Sequence, residues 1–347
     1  MPKGDNKNNF LKSFALVDLI NRDDNLKRLL YITIFLFVSM SVLAPDTFLT
    51  FRNFSSMAYQ FPEFGLLSIA IMLAMLSGGI DLSVVGIANL SGIIAAIIMT
   101  KLVAAEISGI ALFLGLLLVV LVAISIGVLA GLLNGFLISK IGITPILATL
   151  GSMELFTGIA IVITKGYAIY GFPEAFLALG NGSLFKIPAP FIVFFLYAIA
   201  FSVLLNKTTY GFKLYMMGTN DIASKFSGLN NMWITIKTYV FSGILAASAG
   251  LILIARTNAA KADYGSSYTL QAILVVVLGG VNPNGGFGTV LGVILSVLSL
   301  QFLSSGFNML NISSFAKNFV WGALMLVVIA SNYYFNRRKE KKAKESA

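Results

Sequence analysis

The stretch LLSIAIMLAMLSGGIDLSVVGIANLSGIIAAIIM, residues 66–99, sets a charged residue and a glycine pair between two runs that are otherwise almost wholly apolar. Runs of this kind recur along the 347 residues, 58% of which are hydrophobic and 11% charged, and the mean hydropathy is +0.90. Soluble domains carry about a quarter charged residues, so the composition specifies an integral membrane protein. Apolar segments fall at about 29–44, 64–77, 84–99, 107–138, 143–164, 188–205, 238–255, 268–278, 287–304 and 318–335, each read against the roughly 20 helical residues that cross about 30 Å of hydrocarbon. The expected fold is an all-α polytopic membrane protein of about ten transmembrane or half-membrane helices. No polar interval is long enough for a separate soluble domain, so a polar lead-in (1–28), a membrane domain (29–335) and a basic tail (336–347) account for the chain. The lead-in is too long and polar for the n-region of a cleavable leader.

With the N-terminus inside, the inner segments hold 17 of the 24 Lys and Arg. The positive-inside rule then puts both termini and the 206–237 loop in the cytoplasm. The formal charge of +10 is explained without a nucleic-acid partner. The tail RRKEKKAKESA reads either as a stop-transfer anchor or as a contact for anionic lipid head groups. With neither Cys nor His, disulfides, thiolate chemistry, Cys or His metal ligation and imidazole catalysis are excluded.

Segments 64–77 and 268–278 read as too short for a simple span, and each ends in a glycine pair. LSGGIDLSVVGIANLSG (76–92) and VLGGVNPNGGFGTVLG (277–292) share a Gly-Gly-aliphatic-acid/amide core. Interrupted segments in corresponding places of two halves point to a transport pathway. Bare backbone at membrane depth must face protein or a wet cavity, and SGGIDLS is expected to face a wet interior. Gly78, Gly79, Gly279, Gly280, Gly285 and Gly286 are the candidate hinges. Asp81, beside Ser83, is expected either to cap the helix that follows or to meet the passing solute, with Asn282 its counterpart. Glu154, among the small residues Ala148, Thr149, Gly151, Ser152 and Gly158, reads as a satisfied interhelical contact or as a group facing a wet pathway or another subunit. Asn89, Ser91, Asn134, Thr149 and Ser152 are the available polar lining. Gly131, Asn134, Gly135, Gly243 and Gly250 suit close packing, and Trp233 and Trp321 suit interfacial anchoring.

In the 206–237 loop, Asn220 precedes a polar, helix-permissive run, Asp221–Phe226, which Ser227 and Gly228 close. A short helix along the membrane face fits, either as a plain connection or as the element that receives force from a soluble motor. No Gly-x-x-x-x-Gly-Lys-Ser/Thr loop exists, so this chain binds no ATP through a Walker motif, and any ATPase is a separate subunit.

SGGIDLSVVGIANLSG, LNGFLISKIGITPILATLGSMELFTG, GTNDIASKFSGLN and DYGSSYTLQAILVVVLGGVNPNGGFGTVLG, in this order, resemble the permease subunits of ABC importers for ribose and related simple sugars, over residues 29–335. GFPEAFLALGNGSLFKIPAPFIVFF looks particularly like the D-type permease of the autoinducer-2 importer. The resemblance implies a second permease, copy or homologue; cytoplasmic ABC ATPase domains carrying ATP and magnesium; an external sugar-binding protein; and a bacterial inner-membrane location. It also implies that GTNDIASKFSGLN is the coupling loop, with Gly218, Asn220, Asp221, Ala223, Ser227 and Gly228 as its residues. Ser224 stands where a second alanine is frequent and is expected to matter little, and Thr157 stands where ribose-type members often carry arginine. An ion-driven secondary transporter is the rival reading and calls for intramembrane acids paired with cations, for which Asp81 and Glu154 are the candidates. A membrane-embedded enzyme lacks a convergent acid, base and nucleophile set.

Overall fold

The structure is a computed structural model that describes residues 24–313, 316–317, 319–327 and 330. Most of the lead-in and the whole basic tail lie outside the described residues. Helix α1 (Asp24–Leu43) passes through a short α2 (Pro45–Phe48) to α3 (Phe51–Leu76), and α4 (Val84–Ala104) follows the glycine break. The long α5 (Gly109–Phe136) ends in a π turn (Leu137–Ile141) before α6 (Pro145–Thr164). After α7 (Glu174–Asn181), α8 (Ala189–Lys207) leads to the paired short helices α9 (Thr209–Thr219) and α10 (Asp221–Phe226), then α11 (Asn231–Thr257), α12 (Tyr268–Leu278) and α13 (Val290–Met309). Eight of the described helices are long and apolar enough to cross a membrane. Residues 319–327 are helical again.

Segment 64–77 is not half a span. Helix α3 begins thirteen residues earlier, capped by the Thr50 hydroxyl on the Asn53 N–H (3.2 Å), and runs 26 residues through Pro62 to Leu76. Arg52, Gln60 and Glu63 lower the local hydropathy, yet Glu63 is 2% exposed because Arg256 neutralises it. Segment 268–278 is short as expected, 11 residues.

Helices α3 and α11 form the enclosed centre. α5 lies against α11 along Gly127, Gly131 and Gly135, where a Cβ would strike the Gly243 carbonyl, the Tyr239 carbonyl and Ile236 Cα in turn. Without a hydrophobic force between helices in lipid, backbone approach of this kind supplies the contact energy. Gly250 packs on the Ala88 carbonyl of α4 in the same manner. α6 rests on α4, whose Gly86 approaches the Met153 carbonyl. α1 leans on α13 through the Thr33 and Ser299 hydroxyls (2.7 Å). At one end of the bundle, strand β1 (Ile169–Tyr170) pairs antiparallel with β4 (Ala259–Ala260), and β2 (Ser183–Leu184) forms a hairpin with β3 (Ile187–Pro188) beside α7. The opposite end carries α9 and α10. Trp321 is not an interfacial anchor. It is 4% exposed and packs beside Phe307, whereas Trp233 is 52% exposed.

Candidate functional site

The two glycine breaks and the 206–237 loop were read from the sequence as separate features, and the fold brings them to one place. The N–H of Gly286 donates to the Leu76 carbonyl at the end of α3 (3.1 Å). Gly218, at the end of α9, sits between them: a Cβ there would meet the Leu76 carbonyl and, at 2.5 Å, the Gly286 nitrogen. Gly285 lies against the Gly218 carbonyl and the Gly78 nitrogen, Gly78 against the Asn284 carbonyl, and Gly286 against Thr219. Three backbone segments thus meet with no side chain between them. This hub borders a cavity of about 470 Å³ lined by Asn25, Asn206, Tyr215, Gly279, Gly280, Gly286, Phe287, Gly288 and Thr289.

The two breaks share local chemistry. In the first, Gly78 (φ +84°) ends α3 and Gly79 N–H reaches back to the Ala74 carbonyl. In the second, Gly280 (φ +80°) ends α12 and Val281 N–H reaches the Val276 carbonyl. Both are left-handed helix closures that favour glycine. Asp81 then accepts from the Ser83 N–H (3.0 Å) and Asn282 from the Asn284 N–H (3.1 Å), the same turn two residues on. The other glycines of the pairs serve close approach: Gly79 faces the Tyr239 hydroxyl and Pro145, and Gly279 faces Gly292.

Asp81, 0% exposed, does not cap α4 as expected, since the helix begins after Ser83 with no side-chain cap; it is the centre of a network instead. The hydroxyls of Ser83 (2.6 Å) and Ser242 (2.7 Å) donate to it, Asn134 donates to Ser83 (2.8 Å), and Ser152 donates to Asn134 (2.5 Å). One carboxylate therefore joins α4, α5, α6 and α11. The freed carbonyl of Ile80 accepts from Thr149 (3.0 Å). Within SGGIDLS, where a wet interior is expected, hydroxyls meet the Ile80 carbonyl and the Asp81 carboxylate, while Gly78 stays exposed. Asn134 is accordingly a network residue as well as a packing one. Asn89 does not line an open path either: its amide donates to the carbonyls of Ala262 and Tyr264, both at 2.9 Å. Ser91 is buried with its hydroxyl unpartnered among the described residues. Gly151 and Glu154 are not gathered into this site and lie exposed on the outer face of α6.

At the hub, α10 is held at both ends. Asn220 accepts from the Ala223 N–H (2.9 Å), and Gly228 (φ +81°) closes the helix, with Leu229 N–H returning to the Ser224 carbonyl (3.1 Å). Ser227 donates to the Ala223 carbonyl (2.9 Å). Contrary to expectation, Ser224 is a buried anchor. Asn231, the first residue of α11, donates to its hydroxyl (2.6 Å) and to Asp221 (2.7 Å). Partial burial works against the Asp221 charge, but hydrogen bonds from Lys225 and Asn231 and the Lys225 charge outweigh it and hold this carboxyl below its ordinary value. A depressed carboxyl contributes stability above its unfolded value, near 3.9, that is lost only as pH falls through the folded one. Docking of α10 on α11 is therefore expected to stay constant from about pH 6 to 8, a range above both values, which amide exchange across 220–231 checks. Ile222 (69% exposed) and Phe226 (89%) stand one turn apart on its free face. Gly228→Val is expected to unwind α10, at a cost of about 1–2 kcal/mol for a side chain in left-handed backbone. Gly228→Asn should retain the helix, with amide protection of residues 221–226 as the readout.

Sequence reasoning missed one constellation. Arg256 donates to both Glu63 oxygens, Nε at 3.0 Å and Nη2 at 2.7 Å, and the Tyr268 hydroxyl donates to Oε1 at 3.3 Å. This clamp ties α3, α11 and α12 at the end opposite the hub. Its signal was an acid and a base bordering apolar runs, QFPEFG and LILIART. Among the described residues no group of three or more acids is placed to hold a metal ion.

A family model described as branched-chain amino acid transport system / permease component matches residues 53–329. The L-arabinose transport system permease protein AraH of Escherichia coli is 33% identical over 312 residues, 88% of this chain and 89% of its own. The ribose import permease protein RbsC of Bacillus subtilis is 34% identical over 296 residues, 85% and 88% of the two chains. The autoinducer 2 import system permease protein LsrD of Yersinia pseudotuberculosis is 31% identical over 271 residues, 76% and 78%. No solved structure matches the chain.

Proposed function

Because the chain belongs to the family of branched-chain amino acid transport system permease components, we propose that it is the membrane-spanning subunit of an ABC importer for a simple sugar, a pentose, a hexose or the sugar-like autoinducer-2. The convergence of Gly218 with both glycine breaks carries this reading, because force applied to α9 and α10 reaches the end of α3 and the Gly285–Gly286 stretch of the second break directly through backbone. A neutral polyol needs hydrogen-bonding partners and no fixed charge. A zwitterionic amino acid calls for free charges of both signs, whereas the buried Glu63 and Arg256 bind each other. The sugars and the signal named for the relatives above fit this better than the amino acids in the family's description.

On this reading the hub end faces the cytoplasm, where most of the Lys and Arg lie, and the chain sits in the bacterial inner membrane with about ten transmembrane or half-membrane helices and both termini inside. A separate ABC ATPase carries ATP and magnesium, and this chain carries no cofactor. Ile222 and Phe226 seat in a groove of that ATPase, an external sugar-binding protein delivers the solute, and a second permease completes the path. ATP-driven closure of the motor moves α10, Gly218 moves the breaks, and the solute passes by alternating access without covalent chemistry.

The test is uptake of labelled arabinose, ribose and autoinducer-2 by vesicles holding the chain with its ATPase and binding protein. Vanadate-sensitive uptake of one of them supports the proposal. Phe226→Asp is expected to lower that uptake about 30-fold, the loss from one central interface anchor worth about 2 kcal/mol. The Glu63–Arg256 pair is the observation that favours an ion-driven carrier instead, and uptake by the chain alone on a sodium or proton gradient would decide for it.

A further inference from the structure

Beside the Glu63–Arg256 clamp, at the end of the bundle opposite the hub, lies a cavity of about 70 Å³. Three helices each turn two polar residues into it one helical turn apart: Gln60 and Glu63 on α3, Tyr268 and Gln271 on α12, Gln301 and Ser304 on α13. Trp321 and Phe64 supply its apolar walls. Gln60 stands nine residues into α3 and Gln301 eight residues before the end of α13. At 1.5 Å per residue both lie about 12–14 Å along their helices from that end, within hydrocarbon depth.

The polar groups do not satisfy one another. Among the described residues no hydrogen bond involves Gln301 or Ser304. The Gln60 amide donates to Ser56 (2.9 Å) and that of Gln271 reaches Ser267 (3.4 Å), which leaves both amide oxygens without a partner. Bare amides at that depth are costly, so the space has to be filled by something that meets them. The filler is neutral, because Glu63 and Arg256 cancel each other and offer neither a cation nor an anion a net charge. It carries hydroxyls, since three amide oxygens accept while the Gln301 amide and the Ser304 hydroxyl donate, and a hydroxyl does both. It also carries carbon. The volume is several times the roughly 10–15 Å³ that one water needs, and water alone leaves the Trp321 and Phe64 walls wetted where C–H groups would cover them.

We propose that this cavity is a binding site for a small neutral polyol of about two or three carbons, or for the hydroxymethyl end of a larger one, held by Gln60, Gln271 and Gln301 against Trp321. The site lies within a single chain and does not depend on the importer reading. Its occupant bridges α3, α12 and α13 beside Glu63 and Tyr268 and so supports the clamp.

The chain has two tryptophans, so Trp233→Phe leaves Trp321 as the only emitter. The full chain with this change, in lipid nanodiscs, is titrated with glycerol, with 1-propanol as a three-carbon compound bearing one hydroxyl, and with arabinose and ribose. Glycerol is expected to shift Trp321 emission along a saturating curve and 1-propanol is not. Gln301→Leu is expected to weaken glycerol binding about tenfold, the effect of losing an amide that both donates and accepts. Gln271→Leu is the second variant, and each is compared only where its emission without ligand equals that of the parent. Saturation by the pentoses, alone or at lower concentration than glycerol, identifies the end of a sugar as the occupant. Saturation by glycerol alone identifies a free polyol, and either result supports the site. A response linear in concentration, a response that 1-propanol reproduces, or one that both glutamine variants leave intact would overturn the proposal and leave a cavity that holds water only.

Discussion

Glu63→Ala and Arg256→Ala are each expected to destabilise the protein by about 3–5 kcal/mol, the cost of leaving one charge of a buried pair without its partner. The pair is bidentate, with the Tyr268 hydroxyl as a third partner, and it joins α3, α11 and α12. The double variant Glu63→Leu/Arg256→Met is expected to recover most of the loss, since replacing both ions by apolar groups of similar volume removes the unpaired charge. Trp321 lines the same small cavity as Glu63 and Tyr268, so its fluorescence in detergent unfolding reads the site directly. Additive single and double losses would mean that the two charges do not depend on each other. If the clamp also has to open during transport, the double variant recovers stability without recovering uptake. If it stays closed throughout, both return together.

The same pair explains where the sequence was hard to read. Hydropathy recorded the membrane, the glycine breaks and the bounds of α10, because each is a local signal: a sustained apolar run, a glycine pair, an Asn and a Gly bracketing six helix-permissive residues. The matching turns at Asp81 and Asn282 were visible for the same reason. The true length of α3 was not, because Glu63 counts as polar whether or not an arginine 193 positions away neutralises it. The role of Ser224 is set by Asn231 on the next helix, and that of Asn134 by Ser83 just ahead of α4 and Ser152 on α6. Neither dependence leaves a periodic trace. The hub itself joins Leu76, Gly218 and Gly286, and a glycine carries no pattern that says which backbone will approach it. Chemistry was legible residue by residue, and the meeting of residues was not.

Gly218→Val is expected to abolish energised transport, with uptake down about 100-fold, because a few kcal/mol of overpacking at a two-state junction shifts its balance by that much. The obstruction is backbone on two sides, the Leu76 carbonyl and the Gly286 nitrogen, and neither can rotate away as a side chain tip does. The hydrogen bond from Gly286 to Leu76 would have to lengthen or break, parting the two breaks where they meet on α9. Gly286→Ala attacks the same junction from the other side, where φ is +78° and Thr219 is in contact, and should give a similar loss. Gly322→Ala, which meets open space, should transport normally. A folding defect is separated from an uncoupling one by hydrolysis: complexes that still assemble and split ATP, yet no longer accelerate when the loaded binding protein is added, have lost the connection and kept the fold. If Gly218→Val transports within about twofold of the unaltered protein, an effect below 0.5 kcal/mol, force does not travel through this contact. The motor would then have to act on α11 through Asn231 and its hold on Ser224 and Asp221.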